Sequence, residues 1–211
     1  FHFMRRIPPA KHIFPLRIVI IAIDISRMKK SFILLFIALI ILRLLDLWTT
    51  YRSTPTLSDE INPLSSIFGG GWLMIILTNF ILVGGILYLH YFYTFKYTPK
   101  TNIGADSYSA YLSMVYFNEP GKFYQVLYRM PVDRSVLLGH LGFVLIRALI
   151  FGSILAELNN TFHYYQYTFY IVWCDFIAHP AFFIYSLILL FFVLCFYYIT
   201  HREYKINKAT F

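Results

Sequence analysis

The chain has 211 residues, of which 59% are hydrophobic and 13% charged, and its mean hydropathy is +0.63. Soluble domains average about 25% charged and about 45–50% apolar residues, so this composition excludes an ordinary soluble domain and predicts a membrane protein. The net charge of +8 is expected to come from loop Lys and Arg residues that set topology, and no nucleic-acid partner is expected.

Residues 1–30 contain no complete membrane span. The apolar run from Ile18 to Ile25 is interrupted by Asp24, and a span needs about 20 residues. A basic segment, Met28-Lys29-Lys30, then precedes a longer apolar run. We interpret residues 1–30 as an N-terminal arm or a spurious upstream extension. The alternative is an amphipathic helix at the membrane interface.

Four apolar segments are long enough to cross a bilayer, and together they form a single transmembrane domain over residues 31–208. The predicted spans are residues 31–48, 72–92, 135–156 and 181–200. The pair Gly84-Gly85 in the second span is expected to let a neighbouring helix approach closely, because small residues do so in lipid.

The segments between these spans contain shorter helical patterns. The apolar tract after residue 167 is too long for one crossing, and His179-Pro180 divides it, because proline removes a backbone donor and disfavours helix at the preceding residue. The part before this break, near residues 167–177, is expected to be an interfacial or re-entrant segment. Residues 108–117 and 123–130 of the 96–134 loop are expected to be interfacial helices. Residues 159–166 are expected to form a short loop.

Lys and Arg residues collect in the segments that would lie on one side of such a bundle. They occur before the first span, in the 96–134 loop and in the C-terminal tail, whereas the first loop contains only Arg52 and the 157–166 loop contains none. The positive-inside rule then places both termini in the cytoplasm. The expected fold is therefore an all-α, polytopic helix bundle with four transmembrane helices, in a bacterial inner membrane.

Several polar side chains interrupt the spans toward the side that this topology makes extracytoplasmic. Arg43, Asp46 and Thr50 share one helical face through the spacing i, i+3, i+7. Intramembrane ionisable residues cost at least about 2.5–3.5 kcal/mol each at mid-bilayer and seldom face lipid, so we expect the polar side chains to meet in one layer. The candidate binding residues are Arg43, Asp46, Thr50, Glu60, Asn62, Asn79, Arg147, Asp175 and His179.

This layer has two interpretations. The two arginines and two aspartates would suffice as ion pairs that fix helix packing. Glu60, Asn62 and His179 add polar groups that a structural clamp does not require, which favours a pocket. The expected role is a scaffold, an assembly factor, or a carrier that binds a membrane-protein partner or a lipid-like ligand. The alternative is an intramembrane enzyme acting on a lipid or lipid-linked substrate from the outer side.

The sequence contains no motif for a known cofactor. Cys174 and Cys195 are not spaced as C-x-x-C, and no G-x-x-x-x-G-K-(S/T), G-x-S-x-G or H-E-x-x-H motif occurs. Asp175 and His179 have the i, i+4 spacing of a metal-binding pair, but two ligands are too few and Pro180 disturbs the helix. No cofactor and no metal site are therefore expected.

A sequence signature covers the first two spans and the loop between them. Asp46-Leu-Trp-Thr49-Thr50 is followed by Glu60-Ile-Asn62-Pro63 and by Gly71-Trp72. Over residues 33–95 this pattern, D-x-x-(S/T)-T and then E-x-N-P, resembles a family of small bacterial integral membrane proteins of unknown function. The family often has a polar or basic residue in its second helix, for which Asn79 is the candidate here. The resemblance implies an architecture and a choice of residues, and it implies no activity.

Overall fold

A computed structural model describes residues 14–57, 71–121, 123–176 and 180–210, with side chains from residue 28 onward except those of Asp175, Pro180 and Ala181. Its α-helices are α1 (Phe14–Ser53), α2 (Trp72–Phe95), α3 (Tyr108–Phe117), α4 (Arg134–Tyr164), α5 (Thr168–Phe176) and α6 (Pro180–Thr210), and a short 3₁₀ helix covers Phe123–Leu127. The regular structure of the described residues is helical and includes no strand, which confirms the all-α prediction.

Four helices are long and apolar enough to cross a membrane. They are Met28–Ser53 within α1, the whole of α2 and α4, and Phe182–Thr210 within α6. The prediction of a multi-pass bundle with four transmembrane helices is therefore confirmed. Helix α4 is central, because α1, α2 and α6 all pack against it.

Side-chain contacts show which helix ends lie together. The ring of Phe32 near the start of the first span stacks 5.2 Å from that of His90 near the end of α2. His140 early in α4 bonds Glu203 late in α6 at 2.9 Å. The spans therefore alternate in direction. We call the end that carries the basic segments 28–30, 96–134 and 202–208 the basic end, and the other the opposite end.

The helices extend further into polar sequence than predicted. Helix α1 crosses the expected boundary at residues 30–31 without a break and continues through Ser53. Helix α4 continues through Tyr164, so the loop predicted over residues 159–166 is wrong except for its last two residues. The polar side chains are satisfied within or between helices: the Ser53 hydroxyl donates 2.8 Å to the carbonyl of Thr49. Polar composition by itself therefore does not end a helix here.

The segment between α2 and α4 folds against the basic end. Helix α3 coincides with the predicted helix at residues 108–117, is capped by the Ser107 hydroxyl, and ends at Asn118 with φ 55°. It packs its aromatic side into a core around Val136 of α4. Asp133 begins α4 by accepting hydrogen bonds of 2.9 Å and 2.6 Å from the amide and hydroxyl of Ser135.

Gly142 of α4 lies in close contact with the backbone of α2. A Cβ at this position would collide with the carbonyl oxygen of Leu89 on α2. By contrast, a Cβ at Gly84 or Gly85 would meet open space, so the expectation that this pair permits close packing is wrong. The glycine that permits close packing of α2 and α4 is therefore Gly142 of α4, near the basic end.

Candidate functional site

A cavity of about 500 Å³ lies between α1, α4 and α6 toward the opposite end of the bundle. One part of its wall is polar and includes Arg43, Asp46, Thr50, Asn160, His163 and Tyr170. The part nearer the basic end is apolar and includes Leu82, Ile86, Leu145, Leu149, Ile188 and Phe192. The cavity is therefore amphipathic along the length of the bundle.

Arg43 lies between the two parts and joins three helices. Its Nη1 lies 2.7 Å from Oδ2 of Asp46 and donates to Oγ of Ser153 at 3.3 Å. Its Nη2 donates to Oδ1 of Asn79, whose Nδ2 in turn donates 2.9 Å to the carbonyl of Ile75. The structure thus brings Arg43, Asp46 and Asn79 together, and we call them, with Ser153, the cavity cluster.

A second polar layer lies beyond the cavity cluster, closer to the opposite end. Nδ2 of Asn160 donates 3.1 Å to Oγ1 of Thr50, which is also one of the predicted residues. The neighbouring Thr49 hydroxyl donates 3.0 Å to Oε2 of Glu157. The Tyr170 hydroxyl of α5 donates 2.8 Å to Oδ1 of Asn159, which ties α5 to α4. Burial raises the pKa of Tyr170, so this hydroxyl keeps its proton.

The polar wall carries little net charge. Among the described residues that line the cavity, Arg43 and Asp46 are the formally charged ones, and they neutralise each other. His163 adds an imidazole to that wall. Nε of Arg43 is a buried donor for which the described residues supply no acceptor. The wall therefore offers mainly neutral donors and acceptors.

The other predicted residues are not brought into this layer by the described part of the chain. Nη1 of Arg147 donates 2.7 Å to the carbonyl of Phe143 in its own helix. Arg147 lies about 9 Å nearer the basic end than Ser153 at 1.5 Å per residue, and it does not line the cavity. Glu60, Asn62, His179 and the side chain of Asp175 lie outside the described residues, so their place in the layer stays a prediction.

A second buried polar group lies at the basic end. Nε2 of His140 lies 2.9 Å from Oε2 of Glu203, which also accepts a 3.0 Å hydrogen bond from the Tyr97 hydroxyl. Nδ1 of His140 lies 2.6 Å from the Tyr116 hydroxyl. Burial, together with the Glu203 carboxylate, raises the pKa of both tyrosines, so both hydroxyls remain protonated. We call these four residues the closed cluster, because His140 and Glu203 are each only 1% exposed.

Sequence reasoning misses residues of the second polar layer and of the closed cluster for one reason. Glu157, Asn159 and Asn160 were counted near or within a predicted loop, and Glu203 within a basic, solvated tail. Helices α4 and α6 continue to Tyr164 and Thr210, so these residues lie on helical faces and not in loops. The sequence signal for these faces is the i, i+3 and i+4 spacing that relates the polar residues to the adjoining apolar spans, because this spacing indicates a continuing helix.

In the described residues, no group of three or more His, Cys, Asp and Glu side chains has the arrangement needed to hold a metal ion. Comparison of the chain with protein-family models, with curated proteins and with solved structures found no match. The geometry of the cavity is therefore the basis for the proposed function.

Proposed function

We propose that this protein binds an amphiphilic, lipid-like ligand in the cavity between α1, α4 and α6, as a carrier or a ligand-responsive partner of another membrane protein. The observation that carries this proposal is the change from polar to apolar wall along one cavity. Its volume of about 500 Å³ falls within the range of about 300–1,000 Å³ typical of small-molecule sites. A polar group would contact Thr50, Asn160 and Tyr170, and an alkyl chain would lie along Leu149 and Ile188.

The arrangement of the helices supports entry from the bilayer. Helices α1 and α6 both pack against α4, but they do not pack closely against each other along the described residues. A gap between two membrane-spanning helices is open to lipid rather than to water. The ligand would therefore reach the cavity laterally, as a lipid does, and would keep its alkyl chain in an apolar environment.

The proposed orientation places the polar wall in the extracytoplasmic leaflet. The basic end carries Lys29, Lys30, Lys100, Lys205 and further cations, and the positive-inside rule directs such segments to the cytoplasm. In a bacterial inner membrane, the ligand would then come from the outer leaflet. Reporter fusions test this orientation. A reporter that functions only in the cytoplasm should be active when fused near Lys100, and activity there of a reporter that functions only in the periplasm would contradict the orientation.

A cavity-filling substitution tests ligand binding. Ala156 lines the cavity, so Ala156→Phe should reduce photo-crosslinking of a monoacylglycerol with a diazirine in its acyl chain. The matched control is Ile154→Phe, which adds the same ring two residues away, at a side chain that is 41% exposed and does not line the cavity. The control should crosslink like the unmodified protein. Equal labelling of both variants, with equal thermal stability, would contradict the proposal.

One observation favours a second candidate, an enzyme that acts on a lipid. The carboxylate of Asp46 and the imidazole of His163 line the same cavity, and these groups can act as acid and base. In an enzyme, Asp46→Asn and His163→Gln should each abolish conversion of a labelled lipid while crosslinking of the probe persists. If both variants bind the probe and no conversion by the unmodified protein is found across lipid classes, the binding role is favoured.

A further inference from the structure

Arg147 and Arg202 form an unneutralised cationic pair on the surface between α2, α4 and α6. Within the described residues, neither guanidinium lies within 4.0 Å of a carboxylate, unlike Arg43. Arg147 is half-buried in the middle of α4, and Arg202 is exposed on α6. Two cations placed in or beside hydrocarbon without a counter-charge are unfavourable, so an anion from outside the chain would stabilise this surface.

Both arginines are held against one patch of aromatic rings. The Cζ atom of Arg147 lies 3.6 Å from the ring centroid of Phe143, and Nη2 of Arg202 donates 3.1 Å to the Tyr93 hydroxyl. The Phe143 ring contacts those of Tyr93 and Tyr198 at centroid distances of 5.2 Å and 6.0 Å. We call Tyr93, Phe143 and Tyr198 the aromatic patch; it contains one residue from each of the three helices.

The Arg147 side chain is directed toward the basic end, and Arg202 lies near that end. Arg147 donates to the carbonyl of Phe143, one turn nearer the start of α4, so its guanidinium bends toward the interface. Arg202 lies one turn beyond Tyr198, closer to the end of α6. Tyrosine hydroxyls favour the headgroup zone of a membrane, which is where Tyr93 and Tyr198 would then lie.

We propose that this surface binds the phosphate of an anionic phospholipid in the leaflet at the basic end. A guanidinium presents planar N–H donors that match phosphate oxygens, and each of these arginines uses only one such donor in the hydrogen bonds given above. Helices α2 and α6 both pack on α4, with no close packing between them along the described residues, which leaves a lateral groove for the acyl chains. None of the five residues lines the cavity, so this proposal does not depend on the ligand proposed above.

A titration followed by native mass spectrometry tests the site. The probes are phosphatidylglycerol and phosphatidylcholine with the same acyl chains, added to the full chain in a neutral detergent. Phosphatidylglycerol should bind more tightly, and the double variant Arg147→Gln/Arg202→Gln should bind it about tenfold more weakly, as expected for the loss of charge-assisted hydrogen bonds. Inorganic phosphate should not compete, because it supplies no acyl chains.

The matched control removes the same charge elsewhere at the basic end. Arg134 and Lys205 are both exposed and lie outside the aromatic patch, so Arg134→Gln/Lys205→Gln should retain the preference. Equal weakening in the two double variants would indicate attraction by net charge and would overturn the proposal, as would equal binding of both lipids. Should the first double variant fail to fold, Arg202→Gln alone alters only an exposed side chain and must still lose part of the preference.

Discussion

The cavity cluster and the closed cluster both contain a cation or imidazole paired with a carboxylate, but they differ in what surrounds the pair. In the cavity cluster, Arg43 and Asp46 are neighbours on one helix, and their side chains are 16% and 13% exposed. In the closed cluster, His140 and Glu203 come from two helices, and their side chains are 1% and 0% exposed. The first pair can present polar groups to a ligand, and the second fastens α6 to α4.

The largest effect is expected at Glu203. Glu203→Ala would leave His140 and the Tyr97 hydroxyl without their shared acceptor in a buried site, and breaking a buried pair from one side typically costs about 3–5 kcal/mol. Glu203→Gln keeps the shape and one acceptor oxygen and should lose less. Thermal unfolding in detergent measures both. An unchanged midpoint for Glu203→Ala would contradict the fastening role and remove the contrast between the clusters.

Close packing near the closed cluster should be the next most sensitive feature. Gly142→Ala places a Cβ against the Leu89 carbonyl oxygen, so α2 and α4 must separate, which should cost about 1–3 kcal/mol. Gly84→Ala is the matched control, because its Cβ meets open space, and alanine favours a helix over glycine by up to about 1 kcal/mol. A lower unfolding midpoint for Gly142→Ala and an unchanged midpoint for Gly84→Ala would support close packing at Gly142. The reverse order would contradict it.

A loss of stability smaller than that of Glu203→Ala is expected at the cavity cluster. Asp46→Ala removes the carboxylate beside Arg43, but Arg43 keeps its bonds to Asn79 and Ser153 and lies next to a cavity. We expect a cost of about 1–3 kcal/mol for Asp46→Ala and less for Asp46→Asn. Adding Arg43→Met should recover part of the loss if the two charges are coupled. A loss as large as that of Glu203→Ala would show that the two clusters are equally structural.

The smallest effect concerns the partly exposed ion pair between Lys100 and Asp133, 3.0 Å apart, at the start of α4. Hydrogen bonds from Ser135, followed by that from Lys100, lower the pKa of Asp133 from 3.8 to about 2. A carboxyl whose pKa is lower in the folded state stabilises the protein above its unfolded pKa and loses that contribution as pH falls. The stability difference between the unmodified protein and Asp133→Asn should therefore be constant above about pH 5 and shrink between pH 4 and pH 2. A stability difference that is independent of pH over that range would contradict the lowered pKa of Asp133.

The sequence predicted the spans and part of the cavity cluster, because both follow from local rules. Apolar length identifies the spanning helices, and the i, i+3 spacing of Arg43 and Asp46 places them on one face. The closed cluster could not be found in this way, since His140 and Glu203 are 63 residues apart and pair only after α4 and α6 have packed. Arg43 and Arg147 each follow the predicted start of their span, residues 31 and 135, by 12 residues, so the sequence places them at one level of the bundle. The residue of α4 that contacts Arg43 is instead Ser153.

The closed cluster also gives α6 a fixed point near its end, which would be the pivot for any tilt of this helix. Glu203 bonds His140 of α4 and the Thr200 hydroxyl lies 2.6 Å from that of Tyr108 near the end of this helix, and farther toward its start the Phe191 ring stacks on that of Phe151 in α4. The distance from Glu203 to Pro180 along the helix is about 35 Å. A tilt of about 5° at the pivot would move the far end by about 3 Å, the lever arm being that length. Ile188, which lines the cavity about 22 Å from Glu203, would move by about 2 Å, so a small tilt of one helix would change the width that the cavity offers to an alkyl chain.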